Sequence, residues 1–156
     1  MKLKSILLVC ALLLIGKSGI AQTEHATINK AWATLNKAYR LRNETMVNLA
    51  DTLRNRQAIS NKAYRDLSKQ VQKLNQSLSS DPLTGKRMRS IADKNDKLTK
   101  AFGKLILMSG AKSPDHYYIE NLEALENRLH LYKRVFNDAC TAKGRKELRL
   151  PFEPAS

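Results

Sequence analysis

Between residues 23 and 81 this 156-residue chain has no glycine and no proline. A backbone without those residues has no ready means of bending tightly, so a hairpin-rich or loop-rich architecture is excluded there. Cysteine is nearly missing as well: only Cys10 and Cys140 occur. Acids are scarce, with 14 Asp and Glu against 28 Lys and Arg, for a formal charge of +14. That imbalance suits anionic partners, such as lipid head groups, cell-wall polyanions or nucleic acid. No stretch alternates polar and apolar residues as a half-buried strand would, and no internal repeat is visible.

The one long hydrophobic run stands at the start, in "MKLKSILLVCALLLIGKSGIAQ". Lys2 and Lys4 precede an apolar core from Ser5 to Gly16, and Gly19 and Ala21 place small residues where a signal peptidase cuts. A membrane span needs about 20 apolar residues, and Lys17 ends this run short of that. Residues 1–21 therefore read as a secretory signal, which implies export to the periplasm or cell envelope. An uncleaved amino-terminal membrane anchor is the alternative. Lipidation at Cys10 is disfavoured, because Leu8 and Val9 are bulky where a lipobox wants small residues. Cleavage after Ala21 leaves about 135 residues, enough for one domain and one core. Without Lys2, Lys4 and Lys17 the charge falls from +14 to +11. Cys140 then has no disulfide partner within the chain, so packing must hold the fold.

What remains has helical rhythm. Ile28, Trp32, Leu35, Tyr39, Met46, Leu49 and Leu53 recur every three or four residues, with Arg42 filling the one gap. The rhythm slips by eleven residues across "RNRQAIS" and resumes as Tyr64, Leu67, Val71, Leu74 and Leu78. Pro82 and Gly85 mark a turn in "SSDPLTGKR". A further stripe holds Met88, Ile91, Leu98, Phe102 and Leu105, with Asn95 in its gap. "GAKSPDH" (110–116) separates it from a last stripe of Tyr118, Leu122, Leu125, Leu129, Tyr132, Phe136 and Ala139. The expected fold is all-α, an antiparallel up-and-down bundle over residues 22–143. It has four helices if the first long segment breaks near 55–61, otherwise three with one very long helix. An unbroken first helix would reach about 80 Å and leave Trp32, Leu35 and Leu49 uncovered, which favours the break. Residues 144–156 read as an irregular basic tail on the surface.

Arg42 raises the question of what a charge does in a packed stripe. In an antiparallel arrangement Glu126 and Asn127 fall roughly opposite Met46. Arg42 and Glu126, flanked by Asn48 and Asn127, then make a polar cluster that specifies helix register. The alternative is a small-ligand-binding or enzymatic bundle that uses Arg42, Asn48, Glu126 and Asn127 as its site.

"AWATLNKAYRLRNETMVNLADTL" (31–53) resembles the LemA family signature through Trp32, Ala33, Tyr39, Arg42, Asn48, Leu49 and Thr52. "ENLEALENRLHLYKRVFNDAC" (120–140) is similar to a later signature of that family at Glu126, Asn127, Arg128, Phe136, Asn137 and Ala139. The resemblance implies a helical bundle of the cell envelope, usually with an amino-terminal membrane helix and no established biochemical activity. Leu41 and Val47 depart from the pattern, and the tail is shorter than the family's.

Sites of chemistry are not legible. His25, His116 and His130 stand apart from any zinc-ligand spacing, and Leu129 occupies the place a metal-binding bundle would give to histidine after Glu126. Cys140 reads as a small buried hydrophobe, and no glycine-rich phosphate cradle or nucleophile elbow occurs. No catalytic residue, metal or cofactor is expected, and the oligomeric state is left open. The basic residues are dispersed: Lys94, Lys97, Lys100 and Lys104, then Lys133 and Arg134, then Lys143, Arg145, Lys146 and Arg149. Dispersed charge is a solvated face first and an anionic-lipid contact second, and export argues against a nucleic-acid partner. The functional expectation is a non-catalytic envelope scaffold or adaptor that binds an envelope protein or an anionic membrane surface.

Overall fold

The computed structural model describes residues 2–110 and 116–151, with side chains from Ala26 onward. The signal-peptide reading of residues 1–21 falls outside the described side chains. Four helices follow in order: α1 (Lys2–Asn55), α2 (Asn61–Ser79), α3 (Gly85–Met108) and α4 (His116–Ala142). A short 3-10 turn, Lys146–Leu148, comes after them. No strand occurs among the described residues. Also among them, no helix is long and apolar enough to cross a membrane.

The four-helix alternative is the one adopted, and the break needs neither glycine nor proline. Gln57 takes the left-handed conformation at φ 59°. Its N–H donates to the Arg54 carbonyl at 2.9 Å, and the Ala58 N–H donates to that of Leu53 at 2.9 Å. That pair of bonds closes the helix end just as a C-terminal glycine would, at a cost of about 1 kcal/mol for the side chain on Gln57. Ser60 then caps α2 by accepting from the Ala63 N–H. Thr84 does the same for α3 through the Arg87 N–H, after a turn with a cis Asp81–Pro82 bond.

α1 lies along both α4 and α2, and α2 lies along α3. The cross-links Asn36–Leu78 and Asn43–Asn75 run in opposite numerical directions, which makes α1 and α2 antiparallel. Every predicted stripe residue from Ile28 to Leu53 is buried. Trp32 meets Phe136 of α4 with ring centroids 5.5 Å apart. α2 ends against its neighbours: Arg87 of α3 donates to the Ser77 and Leu78 carbonyls, and Asn36 of α1 also donates to Leu78. Those donors satisfy carbonyls that a helix end leaves orphaned. α3 and α4 do not pack closely, and a groove of about 900 Å³ lies between them, floored by Met46, Phe102 and Leu122.

The tail departs from expectation. Leu148 and Leu150 are buried in the core rather than lying on the surface. Asn137, buried on α4, donates to the Leu150 carbonyl and accepts from the Leu150 N–H, both at 2.8 Å. One amide thus takes the place of a strand partner for that peptide, and two leucines anchor the end of the bundle. Gly85 allows the approach, since a Cβ there would sit 2.8 Å from the Glu147 carbonyl oxygen. α4 also rotates its stripe by one residue: beyond Leu129 it buries Lys133, Phe136, Asn137 and Cys140. A straight helix drifts about 20° per heptad, so a seven-residue pattern read from one end slips by the other.

Candidate functional site

Arg42 is 1% exposed in the middle of the bundle. A guanidinium there needs an anion and several acceptors, because burying it unpaired costs several kcal/mol. It has them. Nη1 donates to Glu126 Oε1 of α4 at 3.1 Å, and Nη2 donates to Asn95 Oδ1 of α3 at 2.8 Å and to Asn43 Oδ1 at 3.3 Å. Asn43 in turn donates through Nδ2 to Asn75 Oδ1 of α2 at 2.9 Å. One polar layer therefore takes a side chain from all four helices. The Arg42 guanidinium also lies over the Tyr39 ring, 5.8 Å from its centroid.

The expected cluster is right in its pair and wrong in its flanks. Arg42 and Glu126 meet as an ion pair. Asn48 and Asn127 are both exposed and lie outside the layer. Their places are taken by Asn43, Asn75 and Asn95. Asn95 carried a signal, since it fills the gap of its stripe as Arg42 fills the gap in α1. Asn43 and Asn75 carried none beyond adjacency to the stripe, where half a turn of rotation decides between core and solvent.

At Arg42 this layer is sealed from solvent. Both terminal nitrogens of Arg42 are engaged by protein groups, and only Glu126, with a 35% exposed side chain, reaches the α3–α4 groove. Those two nitrogens make three hydrogen bonds, while Arg42 Nε, equally buried, has no hydrogen-bond partner. Cys140 is fully buried, and burial pushes its thiol up to about 11, away from nucleophilic thiolate character. Among the described residues no three His, Cys, Asp or Glu side chains gather as a metal site would require.

A second concentration of charge lies outside. α2 has four basic residues and one acid, and α3 has seven and two, so the pair holds +8. α1 from Ala26 has five and two, and α4 three and four, so that pair holds +2. Along the sequence the lysines looked dispersed; in space α2 and α3 stand side by side and gather them. Between the two helices runs a groove of about 560 Å³ lined by Lys73, Lys94, Lys97, Lys100 and Lys104, with Asp93 the acid among its lining residues. Three intrahelical pairs, Lys62–Asp66, Lys97–Asp93 and Lys100–Asp96, exhaust the acids of α2 and α3. The Lys62 hydrogen bond holds the Asp66 carboxyl below its ordinary range. Not every basic residue contributes to a surface: Lys133, expected outside, is 5% exposed. No family model, curated protein or solved structure matches the chain.

Proposed function

We propose that the chain is a non-catalytic helical-bundle protein of the cell envelope, an exported scaffold or adaptor that rests on an anionic membrane surface through α2 and α3. The observation that carries this reading is the uneven charge, +8 on α2 and α3 against +2 on α4 and the part of α1 from Ala26 onward. Like charges on neighbouring helices repel and weaken the fold, so an unbalanced face is intelligible as a surface for an anion. A lipid leaflet suits its extended shape, and each basic residue near such a surface contributes about 1 kcal/mol. The signal-like sequence of residues 1–21 and the LemA-like residues Trp32, Tyr39, Arg42, Glu126 and Asn137 support the envelope assignment, and both export and kinship with that family are part of the proposal.

The competing reading, a ligand-binding or enzymatic bundle centred on Arg42 and Glu126, asks for donors that face a water-filled pocket. The pairing of Arg42 inside the bundle weighs against it. Vesicle sedimentation tests the membrane reading. Binding to phosphatidylglycerol-containing vesicles should be strong at low salt and fade as salt rises, with phosphatidylcholine vesicles left unbound. Equal binding to both vesicles, or binding indifferent to salt, would count against it.

A further inference from the structure

The most exposed large hydrophobic side chains among the described residues are Leu107 at 83%, Met108 at 79% and Tyr117 at 71%. All three sit at one end of the bundle, where α3 finishes and α4 begins. Single exposed hydrophobes are ordinary; Leu107 and Met108, two in succession at the end of a charged stripe, are not. Their position on α3 gives the reason. Lys97, Lys100 and Lys104 follow one another at three- and four-residue steps, and Leu107 and Met108 take the next such steps from Lys104. Residues so spaced share one face of a helix. The lysine stripe of α3 therefore runs directly into two bare apolar side chains, with a tyrosine of α4 at the same end. Basic residues that lead to aliphatic ones, with an aromatic alongside, are the composition of a segment lying in the interface of a charged bilayer.

We propose that the α3–α4 end is an insertion wedge. Leu107 and Met108 enter the acyl boundary of an anionic leaflet, Tyr117 sits at head-group level, and Lys97, Lys100 and Lys104 lie over the phosphates. This rests on the membrane-surface reading given above and adds to it a place and an orientation: the bundle tilts with its α3–α4 end down. The opposite end, filled by Leu148 and Leu150, stays away from the lipid.

Two variants and one reporter, all at exposed positions, test the wedge in the full chain with phosphatidylglycerol and phosphatidylcholine vesicles. L107S/M108S should weaken binding roughly tenfold or more, as expected from the loss of two buried aliphatic groups. L107W should shift its emission to the blue on binding and be quenched by lipids brominated near the head group, while buried Trp32 supplies a constant background. K97Q/K100Q/K104Q should remove much of the salt-sensitive part of binding. Wild-type-like binding by L107S/M108S, or a bound L107W protein that brominated lipid does not quench, would overturn the wedge and leave the electrostatic reading standing. A chain that ignores anionic vesicles altogether would overturn both. A blue shift of L107W on raising protein concentration without vesicles would assign this end to a second copy of the chain instead of lipid.

Discussion

The α1–α4 half and the α2–α3 half of this bundle use charge in opposite ways. In the first, Arg42 is sealed inside and answered by Glu126, Asn95 and Asn43, while the outer surfaces of the two helices nearly balance. In the second, the two helices hold a net +8, and most of their charged side chains other than Arg87 lie outside. A buried charge must be satisfied by groups that the fold itself positions, so it reports on how helices pair. A surplus on the surface has no such partner within the fold and works against compactness. The contrast teaches that residues of one chemical type, arginine and lysine, divide here into those that specify structure and those that face outward.

Breaking the inner layer should have the largest effect. Arg42→Ala removes a side chain that hydrogen-bonds to α3 and α4 together, strands Asn95 Oδ1 and leaves a cavity; about 3–5 kcal/mol should be lost in urea unfolding. Glu126→Gln should cost only about 1 kcal/mol, because its 35% exposed side chain stays hydrated and an amide oxygen still accepts from Arg42. Equal losses in the two variants would mean that the ion pair, not the four-helix layer, carries the energy. Asn137→Ala should cost about 2 kcal/mol through its two buried hydrogen bonds to Leu150. It should also free the tail and expose Cys140 to alkylation, read by mass spectrometry of the Cys140 peptide; the wild-type thiol, held near 11 by burial, should stay unmodified at neutral pH.

The smallest effect has the opposite sign. Gln57→Gly should stabilise the protein by up to about 1 kcal/mol, since glycine adopts φ 59° without strain. A destabilising result there would show that the Gln57 side chain, not the bend, holds the α1–α2 corner.

Much of this fold could be read from residue spacing, and the failures have physical causes. The stripes fixed helix faces, because burial of one face is what a three- and four-residue rhythm records. The break was signalled by the eleven-residue slip across "RNRQAIS", yet Gln57 was not, because left-handed glutamine is uncommon and leaves no compositional mark. Leu148 and Leu150 were missed since two leucines in a short basic segment make no period. Asn43 and Asn75 differ from Asn48 and Asn127 only by rotation about the helix axis, which spacing resolves poorly where the stripe drifts. The lysine face is spread over residues 62–104 along the chain and becomes one surface only where the turn at 79–87 folds α3 back along α2.

The division of charge itself is open to one direct comparison. Four charges are removed from each half, K69Q/K73Q/K97Q/K104Q on α2 and α3 and K30Q/K37Q/R128Q/R134Q on α1 and α4, all at exposed positions. Binding to phosphatidylglycerol vesicles is then measured at fixed salt. The first protein should bind at least about tenfold more weakly than wild type, at about 1 kcal/mol for each residue that touches the leaflet, and the second should retain most of its affinity. Equal losses from both halves would show that total charge, not its placement by the fold, governs what this protein meets.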